Sequence, residues 1–171
     1  MILIREEQPG DAAEIRTVNE RAFGQPAEAN LVDKLREDCE ALLSLVTVRE
    51  GRVVGHILFS PITFDRSKNM NGGMGLAPMA VLPDCQRQGI GSRLVERGLA
   101  LLRSRSCPVV VVLGHPEYYP RFGFVPASAH GIRCQWDGVP DEAFMIHIFD
   151  APAMEGVQGI VRYRAEFEEA V

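Results

Sequence analysis

The stretch Val81-Leu82-Pro83-Asp84-Cys85-Gln86-Arg87-Gln88-Gly89-Ile90-Gly91-Ser92 holds the residues best suited to chemistry. An apolar run ends at Pro83, glycines follow at Gly89 and Gly91, and apolar residues then recur at helical spacing. The first turn of a helix leaves its N–H groups without intrahelical acceptors, and the helix dipole adds partial positive charge there. Glycines at that point remove side chains that would keep a ligand off the backbone. A phosphate or pyrophosphate is the natural ligand of such a turn. Two phosphate-binding signatures do not fit. A dinucleotide fingerprint requires a third glycine where Leu94 stands, and a P-loop requires a Gly-Lys-Ser/Thr that is absent.

The flanking elements must position this turn. Ile2 to Glu6 reads as a short strand ended by Pro9-Gly10. Asp11, with Glu14 three residues on, has the pattern of a capping box opening a helix whose stripe is Ile15, Val18 and Ala22. A second helix spans 28–38 and buries Leu31, Val32 and Leu35. Strands over 42–49 and 53–60 flank Glu50-Gly51-Arg52, a hairpin connection. The Gly-, Asn- and Met-rich run from Ser67 to Gly75 is read as a loop, followed by a strand over 74–82. A helix over 89–105 turns Ile90, Leu94, Leu101 and Leu102 inward, and Val109 to Leu113, with no polar member, is read as a strand buried on both faces. Tyr118 to Phe122 forms a short helix, and 145–149 a further strand. Val161, Tyr163, Ala165 and Phe167 alternate along a final one, which is free to pair with a second subunit as a homodimer. This order predicts an α+β sheet in which the strands before and after the long helix pair in parallel by a right-handed crossover.

The 171 residues, 46% hydrophobic, fit one compact domain. A net charge of −5 argues against a nucleic-acid partner, although Arg87, Arg93, Arg97, Arg103 and Arg105 form a local cationic excess suited to a small anion. Cys39, Cys85, Cys107 and Cys134 are scattered without a C-x-x-C pair, which suits a reducing, cytoplasmic setting. The histidines and cysteines lack metal-ligand spacing, so no metal is expected. No apolar run approaches membrane-spanning length, and no membrane partner is expected.

Gln86-Arg87-Gln88-Gly89-Ile90-Gly91 resembles the Gln/Arg-x-x-Gly-x-Gly/Ala signature of the GNAT superfamily of N-acetyltransferases. Tyr119-Pro120-Arg121-Phe122-Gly123-Phe124 resembles that family's Tyr-x-x-x-Gly-Phe, and the buried valine run lies between the two as in the family. The resemblance covers the elements from Ile2 to about Phe149 and leaves 150–171 as an added C-terminal strand. It implies a mixed, mostly antiparallel sheet with helices on both faces and one parallel strand pair around a coenzyme A-binding loop.

The resemblance also implies roles. Acetyl-CoA would be the acyl donor and an amine-bearing small molecule or protein the acceptor. Gln86, Arg87, Gln88, Gly89, Ile90, Gly91 and Ser92 would hold the pyrophosphate. Met79, Ala80 and Val81 would line the pantetheine arm along a splayed strand, where Pro78 has no N–H to give to a ladder. Tyr119 takes the place of the general acid that protonates the leaving thiolate, with Tyr118 the weaker choice. Glu28, Glu117 and His115 are candidate bases, and the loop from Ala127 to Glu142, with Trp136 and Asp137, would shape the acceptor pocket. His56 and His147, inside strands, read as structural. The rival function is a non-catalytic acyl-CoA sensor on the same fold.

Overall fold

The computed structural model describes residues 1–67 and 70–169. In chain order the elements are β1 (Ile2–Glu6), α1 (Ala12–Phe23), α2 (Ala27–Asp38), β2 (Leu43–Arg49), β3 (Arg52–Pro61), β4 (Thr63–Phe64), β5 (Met74–Val81), α3 (Ile90–Ser104), β6 (Val109–Leu113), β7 (Val125–Pro126), β8 (Ile132–Cys134), β9 (Phe144–Ile148), β10 (Gly159–Arg162) and α4 (Glu166–Glu169). The chain divides into two compact units. One comprises Met1–Phe59, Ala77–Ala100 and the segment from Ala165, and the other Ser60–Leu76 and Leu101–Arg164.

In the first unit the strand order is β1-β2-β3-β5, with β1/β2 and β2/β3 antiparallel. Glu50 and Gly51, with φ of 53° and 76°, make the two-residue turn between β2 and β3. Positive φ at both central positions is the turn that matches strand twist. Ile15, Val18, Leu35, Leu45, Ile57 and Leu94 are at most 1% exposed and form this unit's core. Two glycines bring α3 close to β3. A Cβ on Gly55 would stand 2.9 Å from Ile90 Cγ2, and one on Gly98 would stand 2.4 Å from the Phe59 ring. The helix that follows the candidate phosphate turn is thereby seated directly on the strand.

In the second unit the order is β5-β6-β9-β7, with β5/β6 parallel and β6/β9 and β7/β9 antiparallel. This is the mixed, mostly antiparallel arrangement expected, with the predicted parallel pair. A small sheet β4-β10-β8 adds a second parallel pairing, β8/β10, which sequence did not foretell. Val109 to Val112 are at most 1% exposed, as the run predicts, but Leu113 at the strand end is 41% exposed.

Several local expectations change. Asp11 ends a 3-10 turn, and its carboxylate is engaged by Arg5 (2.6 and 3.1 Å) and the Gln8 N–H (2.7 Å). Glu14 makes no capping box there, because its carboxylate accepts the Val53 N–H at 2.7 Å. Leu101 is only half-buried. The expected loop from Ser67 to Gly75 falls partly on residues 68 and 69, outside the described residues, and Gly75 belongs to β5. The expected final strand is cut short. β10 ends at Arg162, and the Glu-rich run 166–169 is helical, since glutamate favours helix over strand. Because β10 lies between β4 and β8, it is no free edge for a second subunit, which removes the basis for a homodimer through it. Among the described residues no helix is long and apolar enough to cross a membrane.

His56 on β3 is fully buried, with Nδ1 3.2 Å from Asn19 Nδ2 and Nε2 2.9 Å from Ser44 Oγ. The Asn19 amide can only donate to Nδ1, so the proton sits on Nε2 and is given to Ser44. Burial first, and then the nearby Arg36 charge, push the His56 pKa down from 6.5 to about 3. Protonation therefore favours the unfolded chain, so the stabilisation is complete above pH 6.5 and is lost as pH falls towards 3. We predict that urea midpoints decline from pH 6.5 to 4.5, ahead of carboxylate titration. His56→Gln should be less stable at pH 7 yet show a flatter slope in that window; an unchanged slope would contradict the assignment.

Candidate functional site

The site begins where β5 leaves its partner. The β5/β6 ladder covers Met74, Gly75 and Leu76 (opposite Val110, Val111 and Val112), so Ala77 to Val81 lie outside it. Pro78, with no N–H, stands two residues beyond this end of the ladder. Ala80 is 3% exposed, while Met79 and Val81 are half-buried. The Leu82 N–H closes the strand onto the Val54 carbonyl (2.9 Å).

A 3-10 turn at Pro83–Cys85 follows, and then Gln86, Arg87, Gln88 and Gly89 are exposed between the buried side chains of Cys85 and Ile90. Arg87 (φ 62°) and Gly89 (φ 81°) are both left-handed. Left-handed residues within a turn gather successive N–H groups into an anion-binding concavity. The Gly89 carbonyl accepts the Arg93 N–H (3.1 Å), so Gly89 stands at the N-cap and Ile90 and Gly91 open the first turn of α3 with Ser92. The two glutamines brace this turn with their side chains. Gln86 Nε2 donates to the Val81 carbonyl (3.0 Å), and Gln88 Nε2 to the Asp84 carbonyl (3.3 Å). All the sequence-predicted donor-binding residues therefore fall on one continuous strand–turn–helix segment of the first unit.

Tyr119 belongs to the second unit and opens a 3-10 turn over Tyr119–Phe122, closed by Gly123 in the left-handed region (φ 94°). Its ring is 7% exposed and meets Tyr118 and Phe124 edge-on at centroid distances of 5.1 and 5.7 Å. Gly114 makes room for it, because a Cβ there would lie 2.4 Å from the ring. Burial, with Tyr118 adding to it, holds the Tyr119 phenol well above the usual tyrosine range, so it is protonated at any working pH.

The candidate bases are dispersed. Glu28 on α2 is half-buried and accepts both its hydrogen bonds from Gln25 Nε2 (3.0 Å each), while His115 and Glu117 are exposed in the loop after β6. Within the second unit, the 127–142 segment helps enclose a cavity of about 220 Å³ whose walls include Arg133, Cys134, Trp136, Asp141 and Phe144. Trp136 lines it and Asp137 does not. His147 packs between Phe124 and Phe149 (5.5 and 4.6 Å), a structural position. No group of three or more potential metal ligands occurs among the described residues.

The contacts of two residues escaped sequence reading. Tyr163, 7% exposed, lies 5.3 Å from the Trp136 ring and fills the space over Gly75, where a Cβ would stand 2.6 Å from it. Its alternation with Val161 hinted at burial but at no partner. Arg49 hydrogen-bonds Gln88 and Cys85 of the turn from 36 or more positions away in sequence, and no local motif announces it.

With a strand freed from β6 and leading into a helix start of the kind suited to an anion, the chain has the form of an acyl-CoA-dependent transferase, and its sequence profile agrees. Residues 12–124 match the acetyltransferase (GNAT) family, to which the chain belongs. It is 41% identical over 167 residues to an uncharacterised N-acetyltransferase, YhbS, of Escherichia coli K12, covering 97% of this chain and 98% of that one. The crystal structure of E. coli YhbS in complex with CoA superposes with a TM-score of 0.91 at 39% identity, over 98% of this chain and 92% of that one. A GNAT acetyltransferase from Brucella melitensis in complex with acetyl-CoA gives a TM-score of 0.80 at 38% identity, over 98% of each chain.

Gly89 tests the turn. A Cβ there meets nothing within 4 Å, so Gly89→Ala brings backbone strain without a clash. We predict a loss of about 1 kcal/mol in urea unfolding and a weaker CoA affinity by calorimetry. Stability and affinity both at wild-type levels would show that the left-handed backbone is not needed.

Proposed function

We propose that the chain transfers the acetyl group of acetyl-CoA to a primary amine. The turn from Gln86 to Ser92 binds the pyrophosphate, and Met79, Ala80 and Val81 offer backbone to the pantetheine arm. The observation that carries this reading is the end of the β5/β6 ladder at Leu76, which leaves the last five residues of β5 outside it ahead of a turn with two left-handed residues and a helix start. The strand thus has backbone groups to pair with an amide-bearing arm, and the turn beyond has N–H groups for the phosphates. The relatives from E. coli and Brucella, captured with CoA and acetyl-CoA, support the same donor.

In this reading the neutral amine nitrogen attacks the thioester carbonyl carbon. A strand N–H near Met79 to Val81 stabilises the developing oxyanion, and collapse of the tetrahedral intermediate breaks the C–S bond. The nitrogen's surplus proton leaves to water or a base, and the departing thiolate takes a proton from Tyr119, which solvent restores. In water a tyrosine at about 10 is a slightly weaker acid than a thiol at about 8.5. Burial raises Tyr119 further, but a thiolate released into a dehydrated site is raised by the same desolvation. The 127–142 segment shapes the acceptor side, where the Asp141 carboxylate and the Trp136 ring suit an ammonium group on arrival. Four free cysteines fit work in the cytoplasm.

Tyr119→Phe tests the acid. On the best acceptor from a screen of primary amines we predict a kcat lower by about 10²-fold, with CoA affinity and melting temperature near wild type because the ring packing is kept. The wild-type profile should show no alkaline limb from this phenol below pH 10. Unchanged turnover in Tyr119→Phe would remove Tyr119 from the mechanism. CoA binding without turnover of any amine would favour the sensor reading.

A further inference from the structure

Arg49 is the last residue of β2, and the Glu50-Gly51 turn returns the chain at once as β3. Its guanidinium reaches the donor turn at two points, with one Nη donating to Gln88 Oε1 (2.8 Å) and the other to Cys85 Sγ (2.9 Å). Gln88 passes the restraint inward, since its Nε2 donates to the Asp84 carbonyl (3.3 Å). The Gln88 side chain thus ties Arg49 to the chain entering the turn, and its own backbone lies between the two left-handed residues. Cys85 is 6% exposed and ends the 3-10 turn before them. The same guanidinium therefore fixes a buried residue before the turn and an exposed one within it.

We propose that Arg49 is a positioning residue for acyl-CoA binding. It acts through Gln88 and Cys85 to hold the backbone of residues 86–89 in the conformation that receives the pyrophosphate. This rests on the reading of that turn as the donor site. A loop of four exposed residues has many conformations to lose when a ligand arrives, and a planar donor fork bound at two points removes part of that cost beforehand. Lysine lacks the fork and can hold only one of the two partners firmly.

The test is a double-mutant cycle on CoA affinity, measured by calorimetry on the full chain, with Arg49→Met, Gln88→Ala and the pair, and Arg49→Lys as the conservative variant. We expect Arg49→Met to weaken CoA about 10-fold and Arg49→Lys to lie between it and wild type. The double variant should be no weaker than the weaker single one, because the two side chains act as one unit. The salt dependence of CoA binding should keep its wild-type slope, whereas an arginine touching a phosphate would lower that slope on removal. Wild-type affinity in Arg49→Met, fully additive losses, or a reduced salt slope would each overturn the positioning role. If wild-type protein itself failed to bind CoA, the donor reading would fall instead, and this inference with it. Should Arg49→Met not fold, the cycle run with Arg49→Lys and Gln88→Ala decides by the same criteria.

Discussion

The left-handed backbone at Arg87 and Gly89 is the constraint on which the rest of the proposed donor site depends. A non-glycine residue in that region is disfavoured by about 1 kcal/mol or more, so the Arg87 conformation persists only because its surroundings impose it. They do so from several directions. Ile90 anchors the far end by burial, Cys85 the near end, and the side chains of Gln86 and Gln88 tie the turn back to Val81 and Asp84. The helix behind the turn is seated by Gly55 and Gly98, whose missing side chains let α3 lie against β3. Core packing and the proposed phosphate recognition are therefore linked through one helix.

The chemistry proposed for the second unit rests on burial. The Tyr119 ring is enclosed by Tyr118, Phe124 and the backbone of Gly114, and that enclosure keeps the phenol protonated. Such a group serves as a proton donor and as no base, which matches a thiolate leaving group. It also separates the two requirements of the reaction. In the proposed reaction, donor binding is assigned to backbone amides and a helix start, which do not titrate, and proton supply to one side chain held far from its ordinary pKa.

Much of this was legible in the sequence, for physical reasons that differ by element. The strand–turn–helix around Gly89 could be read because glycine there meets a backbone need that few residues satisfy, and because the strand before it and the helix after it have distinct periodicities. The valine run declared β6 through burial on both faces. The C-terminal segment misled, because alternation over Val161, Tyr163, Ala165 and Phe167 mimics a strand, whereas after Arg162 the glutamates turn the chain helical. The capping box at Asp11 failed because a tertiary partner, Arg5, took the carboxylate first. The contacts of Arg49 and Tyr163 were invisible, since each is made across a distance in sequence that only folding closes.

Hydrogen–deuterium exchange with and without acetyl-CoA tests the central claim most directly, since it reads the backbone amides to which donor binding is assigned. The account predicts slowed exchange concentrated in Met79 to Val81 and Gln86 to Ser92, with the β1/β2 ladder unaffected. Acetyl-CoA binding that left those two segments exchanging at their free rates would contradict it.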